Sequence, residues 1–345
     1  MRAETLDETW IDAFVRVFTL CALKPDEQVI ILSETASRPV NVLLADLALT
    51  RMKARFFHLK VPTPAPERGP VVRSTGASLA LTGQDSAVRA LSASDLIVDL
   101  TVEGLMHAEE TAAILKGGAR IMNVSNEHPE ALARLVPTPD LKDRVKEAVA
   151  LCRSARSMHV TSAAGTDLTV AMEGAATVGI WGWTDRPGTL AHWPAGIIVS
   201  FPKAGSVYGR LVFKPGDMNL TFKKYFDSAV TATLDADYIT AIDGEGADAR
   251  LMRTYLEGFA DRNAYATSHV GWGLNPGARY EALAMYDKAD TNGTELRAVP
   301  GNFLYSTGAN EFANRFTRGH FDLPMMDCTI RLDDTVVVDA GVLQA

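Results

Sequence analysis

The sequence predicts an α/β domain with a parallel sheet over residues 1–152, followed by an α+β domain with a largely antiparallel sheet over residues 153–345. In the first part, short β-branched runs alternate with amphipathic stretches, an order that implies parallel strands joined by crossover helices. In the second part, short runs divided by Gly, Pro and Asp indicate hairpins. No Pro/Gly/Ser-rich linker lies near residue 152, so we expect the two domains to pack directly against each other.

The elements of the first domain follow from hydrophobic periodicity. The predicted strands are Gln28 to Leu32, Arg55 to Val61, Asp95 to Leu100 and Arg120 to Val124. The predicted helices are Leu6 to Leu23, Pro39 to Met52, Ala87 to Leu91 and Ala108 to Leu115. Open α/β sheets bind ligands at the carboxyl ends of their strands, which here include the segment just after Leu100.

A polar helix, Asp140 to Arg153, precedes the change of pattern. The predicted strands beyond it are Met158 to Thr161, Leu168 to Ala171, Ile197 to Phe201, Tyr208 to Phe213, Val230 to Leu234 and Tyr238 to Ile242. Two helices are predicted at about Asp248 to Phe259 and Ala278 to Asp287. A final strand pair, Thr329 to Val342, closes the domain.

Composition excludes several classes of protein. The formal charge is −8, from 34 Lys and Arg against 42 Asp and Glu, and no basic run offers a surface for nucleic acid or anionic membranes. The first residues lack the pattern of a signal peptide and no segment reaches 18 apolar residues, so we expect a cytoplasmic protein. Three well-separated cysteines argue against disulfides or a thiolate zinc site.

Common nucleotide and hydrolase motifs are absent from the sequence. Gly271-Trp272-Gly273 does not follow a βα turn of the first domain and lacks the third glycine of a dinucleotide fingerprint. Neither a GxxxxGK[ST] phosphate loop nor a GxSxG nucleophile elbow occurs. Dehydrogenase, phosphate-loop nucleotidase and serine hydrolase functions are therefore disfavoured.

The seven histidines form the pool of candidate catalytic residues. Three lie in strand or helix-start patterns and are interpreted as structural or surface residues: His58, His128 and His159. Four lie in loop-like or strand-end contexts near Gly, Pro or Trp, where sites are commonly assembled: His107, His192, His269 and His320.

The string Gly319-His320-Phe321-Asp322 predicts a metal site. On an extended backbone His320 and Asp322 point to the same face, so an imidazole and a carboxylate can meet one ion. His269 is the natural third ligand, and two histidines with one carboxylate leave open positions for an organic chelate and dioxygen on iron(II). The alternative is a partly exposed pair at a strand end with no metal role.

Longer strings show a resemblance to a known family. Ser268 to Leu274 (SHVGWGL), Gly301 to Gly308 (GNFLYSTG), His320 to Pro324 (HFDLP) and His192 to Gly196 (HWPAG) resemble the 2,5-dihydroxypyridine 5,6-dioxygenases, and the likeness extends through nearly the whole chain. The resemblance implies a single iron(II) bound by His269, His320 and Asp322. It also implies a fold related to the M29 metallo-aminopeptidases, a partial β-barrel in the second domain, and a homo-oligomer, commonly a hexamer.

The resemblance further implies three pocket residues. His107 would exchange a proton with a ring hydroxyl, because a neutral imidazole titrates near pH 6.5; the alternative is a helix-start residue facing water. His192 would orient the substrate, or would pack beside Trp193 and Pro194 without contacting it. Ser306 would hydrogen-bond a ring substituent, or would be an ordinary turn residue.

One departure from the family pattern concerns the substrate. The family has a glutamate before its aromatic-Gly-aromatic stretch, whereas this chain has Ile180, followed by Trp181-Gly182-Trp183. Loss of that carboxylate puts the exact hydroxypyridine in question while leaving the iron chemistry in place.

Two other functions remain open from the sequence alone. A metallo-aminopeptidase would need a two-metal cluster with further carboxylates, for which Glu173, Glu245 and Glu257 are candidates. A small-molecule binding protein on the same fold would need no metal. The favoured function is ring-opening oxygenation of a hydroxypyridine, which for 2,5-dihydroxypyridine would give N-formylmaleamate.

Overall fold

The structure, a computed structural model, describes residues 6–65 and 75–344. Elements are numbered in chain order. The amino-terminal part is built on a five-stranded sheet in which every pairing is parallel. Its spatial order is β2-β1-β3-β4-β8, with β1 (Gln28–Glu34), β2 (Arg55–Val61), β3 (Leu96–Asp99), β4 (Arg120–Val124) and β8 (Leu190–Trp193).

Helices cover both faces of this sheet. They are α1 (Glu8–Leu20), α2 (Pro39–Arg51), α3 (Asp85–Ser92), α4 (Thr111–Lys116) and α5 (Pro129–Arg134). The next helix, α6 (Pro139–Ser154), packs instead into the hydrophobic core of the carboxyl-terminal part. Ile31 and its face of β1 pack with α1 and α2, whereas the neighbouring Ile30 packs with α3 and α4. Burial on both faces explains why the centre of β1, Val29 to Leu32, is apolar without interruption.

The carboxyl-terminal part contains an eight-stranded antiparallel sheet, which we call sheet B. Its order is β14-β13-β10-β6-β5-β18-β19-β20. Its strands are β5 (Ser157–Ser162), β6 (Asp167–Ala171), β10 (Val207–Phe213), β13 (Val230–Asp235), β14 (Tyr238–Asp243), β18 (Cys328–Leu332), β19 (Thr335–Asp339) and β20 (Val342–Leu343).

A second antiparallel sheet, sheet C, has the order β17-β16-β15-β9-β7. Its strands are β7 (Ala176–Ile180), β9 (Ile197–Phe201), β15 (Thr267–Gly273), β16 (Phe303–Thr307) and β17 (Phe321–Met325). The remaining elements are the strand pair β11 (Met218–Asn219) and β12 (Lys224–Tyr225), the helices α7 (Ala247–Glu257), α8 (Ala282–Met285) and α9 (Thr294–Arg297), and two 3-10 turns, Arg262–Tyr265 and Glu311–Ala313.

Sheets B and C share one hydrophobic core. Alternate residues of sheet C, such as Val270, Trp272 and Tyr305, point into that core together with Val160 and Leu211 of sheet B. The intervening residues of sheet C face the other way, towards the parallel-sheet region. This alternation places one whole face of sheet C at the boundary between the two parts of the chain.

The predicted fold class is confirmed: parallel strands come first and antiparallel strands follow, except that β8 returns to the edge of the parallel sheet. The described antiparallel strands form open sheets and no closed barrel. The predicted helix at Ala278 to Asp287 is reduced to α8. Strand β8 was missed, since its four residues stand between the turn signals Pro187-Gly188 and Pro194. The division at residue 152 stays a prediction.

Within the described ranges, no helix has the length and apolar character needed to cross a bilayer.

Candidate metal centre and active site

Three adjacent strands of sheet C present a row of polar side chains on the face turned away from the core. Cross-strand pairing sets His269 of β15 opposite Ser306 of β16, and Ser306 opposite Asp322 of β17. The flanking Val270, Tyr305 and neighbouring apolar residues occupy the hydrophobic core on the other face. The row therefore follows from the strand register and the two-residue alternation together.

His269, His320 and Asp322 form a cluster with the geometry of a metal site. One ligand atom from each lies within 4.8 Å of the others, and all three residues are buried. Nε2 of His320 lies 3.2 Å from Oδ2 of Asp322, and Nε2 of His269 lies 3.9 Å from Oδ1. The predicted ligand set is thus brought together, although His269 lies inside a strand and not in the loop-like or strand-end context expected for it.

The protonation states of this cluster suit a divalent cation. Burial alone would raise the pKa of Asp322, but the charges of Arg297 and His320 hold it well below its usual value. Burial lowers the pKa of His269 to about 3, although Asp322 favours the charged ring. An ionised carboxylate and a neutral imidazole are the forms in which these groups bind metals.

Arg297 and Ser306 fix the orientation of the Asp322 carboxylate. The guanidinium of Arg297 donates to Oδ2 from Nε at 2.7 Å and from Nη2 at 2.5 Å. The hydroxyl of Ser306 donates to Oδ1. Each carboxylate oxygen can accept more than one bond, so both retain capacity for a cation. The donor set therefore fits a mononuclear metal, with Arg297 and Ser306 supporting the carboxylate from outside.

Among residues 6–65 and 75–344, no further carboxylate is grouped with this cluster to hold a second metal. In the part of the chain that the structure describes, His269, His320 and Asp322 are the residues grouped for metal binding. Glu173, Glu245 and Glu257, the candidates for a two-metal aminopeptidase site, are exposed and lie outside the group.

His107 reaches the site from a loop after β3, as its sequence position predicted. Buried acceptors shape this loop: Asp99 accepts from the backbone N–H of Thr101 and Leu105, and Glu34 accepts from that of Val102. The imidazole ring lies 6.2 Å from that of His320, centroid to centroid. Its Nδ1 atom lies 3.2 Å from Oε1 of Glu311.

His192 is the penultimate residue of β8, in agreement with the strand-end context predicted for it. Its Nδ1 atom is 2.6 Å from the carbonyl oxygen of Pro194, which accepts the ring N–H. Burial, and next the positive charge of Arg297, lower the pKa of His192 to about 4. The imidazole is therefore neutral at physiological pH.

Two contiguous cavities adjoin the cluster. The inner cavity, about 60 Å³, is lined by all three metal-site residues and by His107, His192 and Ile180. The outer cavity, about 1270 Å³, shares His107 and Ile180 with it and is also lined by Trp181 and Trp183. The Lys142 ammonium stands 5.1 Å and 4.7 Å above these two indole rings. Ile180 thus lines the same cavity as His269, His320 and Asp322, whereas the two tryptophans line the outer cavity.

Sequence reasoning missed three residues of this region: Arg297, Glu311 and Phe201. Arg297 lies in the one-turn helix α9, which no sequence motif marks. The ring of Phe201 lies 5.3 Å from that of His269, centroid to centroid. Its strand was predicted, but the pattern did not indicate which face of the sheet Phe201 occupies.

Comparison with known proteins places this chain in a family. Residues 9–345 match the family model NicX, described as 2,5-dihydroxypyridine 5,6-dioxygenase. The chain is 38% identical over 333 residues to the 2,5-dihydroxypyridine 5,6-dioxygenase of Pseudomonas putida KT2440, covering 95% of this chain and 94% of that protein.

Comparison with solved structures shows the same relationship at the level of the fold. The structure of 2,5-dihydroxypyridine dioxygenase from P. putida KT2440 superposes with a TM-score of 0.92 at 37% identity, covering 99% of each chain. Wild-type AmpT from Thermus thermophilus superposes with a TM-score of 0.65 at 15% identity over 98% of this chain and 99% of that one, which confirms the expected relation in fold to the M29 aminopeptidases. The chain belongs to the 2,5-dihydroxypyridine 5,6-dioxygenase family.

Proposed function

We propose that this protein is an iron(II) dioxygenase that opens the ring of 2,5-dihydroxypyridine or a related hydroxypyridine. Both atoms of dioxygen enter the product, which for 2,5-dihydroxypyridine is N-formylmaleamate. His269, His320 and Asp322 hold the iron. The observation that carries the proposal is this buried group of two histidines and one carboxylate beside a cavity, in a chain of this family.

Iron(II) bound at these three residues supplies open positions for the ring oxygens and for dioxygen. The chain's own groups set the conditions around it. Arg297 and Ser306 keep Asp322 ionised and oriented. Because the cluster is buried, bulk water is excluded and electrostatic interactions there are stronger than in solution.

Three neighbouring side chains act on the substrate in this proposal. His107 takes a proton from a ring hydroxyl and returns it later, since it lines the inner cavity beside His320. His192, which is neutral and tied to Pro194, orients the ring. Ser306 donates its hydroxyl hydrogen to Asp322, and its oxygen accepts from a ring substituent on the same face of sheet C.

The cavity walls select the ring. Ile180, Ile197, Val199, Phe201 and Leu304 line the inner cavity with apolar surface. Trp181 and Trp183 border the outer cavity and provide aromatic surface along the entry. An apolar wall at Ile180 favours a hydroxypyridine with a carbon substituent or an unsubstituted edge at that position, because it offers no acceptor to a ring N–H or hydroxyl.

In its cellular setting we propose a cytoplasmic enzyme of pyridine catabolism, in a route such as nicotinate degradation. We also propose that it assembles as a homo-oligomer, with the hexamer implied by the family resemblance as the expected form.

The test is reconstitution with defined metals. Metal-free protein loaded anaerobically with iron(II), zinc or cobalt is mixed with a panel of hydroxypyridines while oxygen uptake is followed. We expect uptake with iron(II) and its loss on chelation. Full activity without metal, or activity restored by zinc alone, would contradict the proposal.

A further inference from the structure

Glu311 lies on the wall of the outer cavity, against the imidazole of His107, which lines both cavities. Its Oε1 atom is 3.2 Å from Nδ1 of His107, and the two side chains are 39% and 11% exposed. We propose that Glu311 is a positioning residue: its carboxylate holds His107 in the tautomer that carries the proton on Nδ1 and leaves Nε2 as the acceptor. This inference rests on the proton-transfer role proposed for His107.

The tautomer follows from the chemistry of the two groups. A neutral imidazole has one N–H donor and one acceptor nitrogen, whereas an ionised carboxylate can only accept. The nitrogen that faces the carboxylate must therefore carry the proton. Burial alone would raise the pKa of Glu311, but the hydrogen bond with His107 keeps it lowered, so the carboxylate is ionised at neutral pH.

Glu311 sits on a segment that is anchored on both sides. The Asn310 side chain accepts from the backbone N–H of Ala313 at 3.1 Å and donates to the carbonyl of Pro202 at 2.8 Å. The ring of the next residue, Phe312, packs on Phe201 at 5.1 Å between centroids. The carboxylate is thus presented to His107 from a fixed turn.

The backbone of His107 is held separately from its ring. Its N–H donates to the carbonyl of Gly76 at 2.6 Å, so the position of the residue does not depend on Glu311. Because the Glu311 side chain is more than a third exposed, its contribution to stability is small. Glu311 instead determines which nitrogen of the His107 ring carries the proton and how the ring is oriented, and it affects turnover through these two properties.

The first readout is the tautomer itself, measured in metal-free protein without substrate. Nitrogen-15 NMR of the histidine rings distinguishes the two neutral tautomers, and the His107 signals are assigned by comparison with His107→Asn. We expect Nδ1–H in the wild type and a shift towards Nε2–H in Glu311→Met, which has similar length and no acceptor oxygen. A wild-type ring protonated on Nε2, or an unchanged tautomer in the variant, would overturn the proposal.

The second readout is steady-state turnover of the iron-loaded protein. Glu311→Met should lower kcat about 10-fold with KM little changed, as expected when a proton-transfer group is misoriented and binding is intact. Glu311→Gln keeps an acceptor oxygen and should therefore retain most of the wild-type kcat. Glu110→Gln, which removes the same charge three residues after His107, is the matched control and should retain wild-type kcat.

These readouts separate the inference from the function on which it rests. The positioning role would be rejected if Glu110→Gln lost as much kcat as Glu311→Met. It would also be rejected if the kcat of Glu311→Gln were no higher than that of Glu311→Met. A protein that consumes no oxygen with any hydroxypyridine, yet shows the expected tautomer change, would refute the proposed function and leave the Glu311–His107 pairing in place.

Discussion

At the scale of single residues, the centre depends on one buried carboxylate that stays ionised. Asp322 is 2% exposed, a position in which an unpaired charge is very costly. Arg297 and Ser306 offset that cost by donating to opposite oxygens. A cation that binds there therefore contacts a carboxylate that is already deprotonated and oriented.

The first prediction concerns the three ligands. Replacing His269, His320 or Asp322 by Ala should abolish stoichiometric iron binding while the far-ultraviolet circular dichroism spectrum is retained, since three ligands are the minimum for a tight site. Metal content is measured by inductively coupled plasma mass spectrometry after anaerobic loading. Full iron occupancy in any one variant would show that the assigned residue is not a ligand.

The second prediction distinguishes His107 from the ligands. His107→Ala should keep its iron and lose turnover by roughly 10²- to 10⁴-fold, the range typical of a positioned proton-transfer group. Oxygen uptake and iron content are measured on the same preparation. Loss of iron together with activity would make His107 a ligand.

Some of this residue-level detail could be read from the sequence and some could not. The two-residue spacing of His320 and Asp322 places both on one face of any extended segment, so the pair was visible before the fold was known. Arg297 comes from a separate element 25 residues upstream of Asp322, and only tertiary packing brings it to the carboxylate. Glu311 reaches His107 across 204 residues.

At the scale of elements, the register of sheet C creates the site. A slip of one residue in β15 would turn His269 into the hydrophobic core and Val270 into the cavity. The close approach of β9 to β15 also limits the side chain at Gly271, where a Cβ atom would lie 1.8 Å from the carbonyl oxygen of Ile198.

The third prediction follows from that contact. Gly271→Ala should force β9 and β15 apart, lower the free energy of unfolding by about 1–3 kcal/mol as overpacking does, and weaken iron binding through His269. Urea denaturation and iron content are the measurements. Gly277→Ala is the control, because its nearest neighbour is the Leu135 side chain at 3.3 Å. An unchanged unfolding midpoint in Gly271→Ala would contradict the register argument.

The fourth prediction concerns the apolar wall formed by Ile180 at the end of β7. Wild-type protein should turn over 2,5-dihydroxypyridine poorly or moderately and prefer a differently substituted hydroxypyridine. Ile180→Glu should raise kcat/KM for 2,5-dihydroxypyridine by about 10-fold, the order of one hydrogen bond to a charged group. Ile180→Gln is the uncharged control. This specificity argument would be refuted if the wild-type kcat/KM for 2,5-dihydroxypyridine were already near the diffusional limit and Ile180→Glu only lowered it.

Some strands could be predicted from the sequence and others could not. Strands β2 and β4 were predicted with their observed ends, because aromatic or β-branched residues recur in both of them. Strands β15 and β16 contain glycine and serine among their large residues, so periodicity alone did not reveal them as strands. Their pairing with β9, more than 65 residues away in the chain, is a non-local property.

At the scale of the whole molecule, the two parts of the chain build the centre jointly. Glu127, buried after β4, accepts from the backbone N–H of Thr294 and the hydroxyl of Thr291. That contact fixes the start of α9, the helix that delivers Arg297 to Asp322. His107 and His192 come from the parallel-sheet region, and the proposed metal ligands come from sheet C and the residue just before β17. Packing of the parallel sheet against sheet C is therefore a condition for the chemistry.

The most direct test of the ring-opening account is the fate of dioxygen. Iron-loaded wild-type protein is incubated with its preferred hydroxypyridine under ¹⁸O₂, and the ring-opened product is analysed by mass spectrometry, with ¹⁶O₂ in labelled water as the complementary experiment. The account predicts that both atoms of one dioxygen molecule enter the product. A single labelled oxygen atom, or oxygen derived only from water, would contradict it.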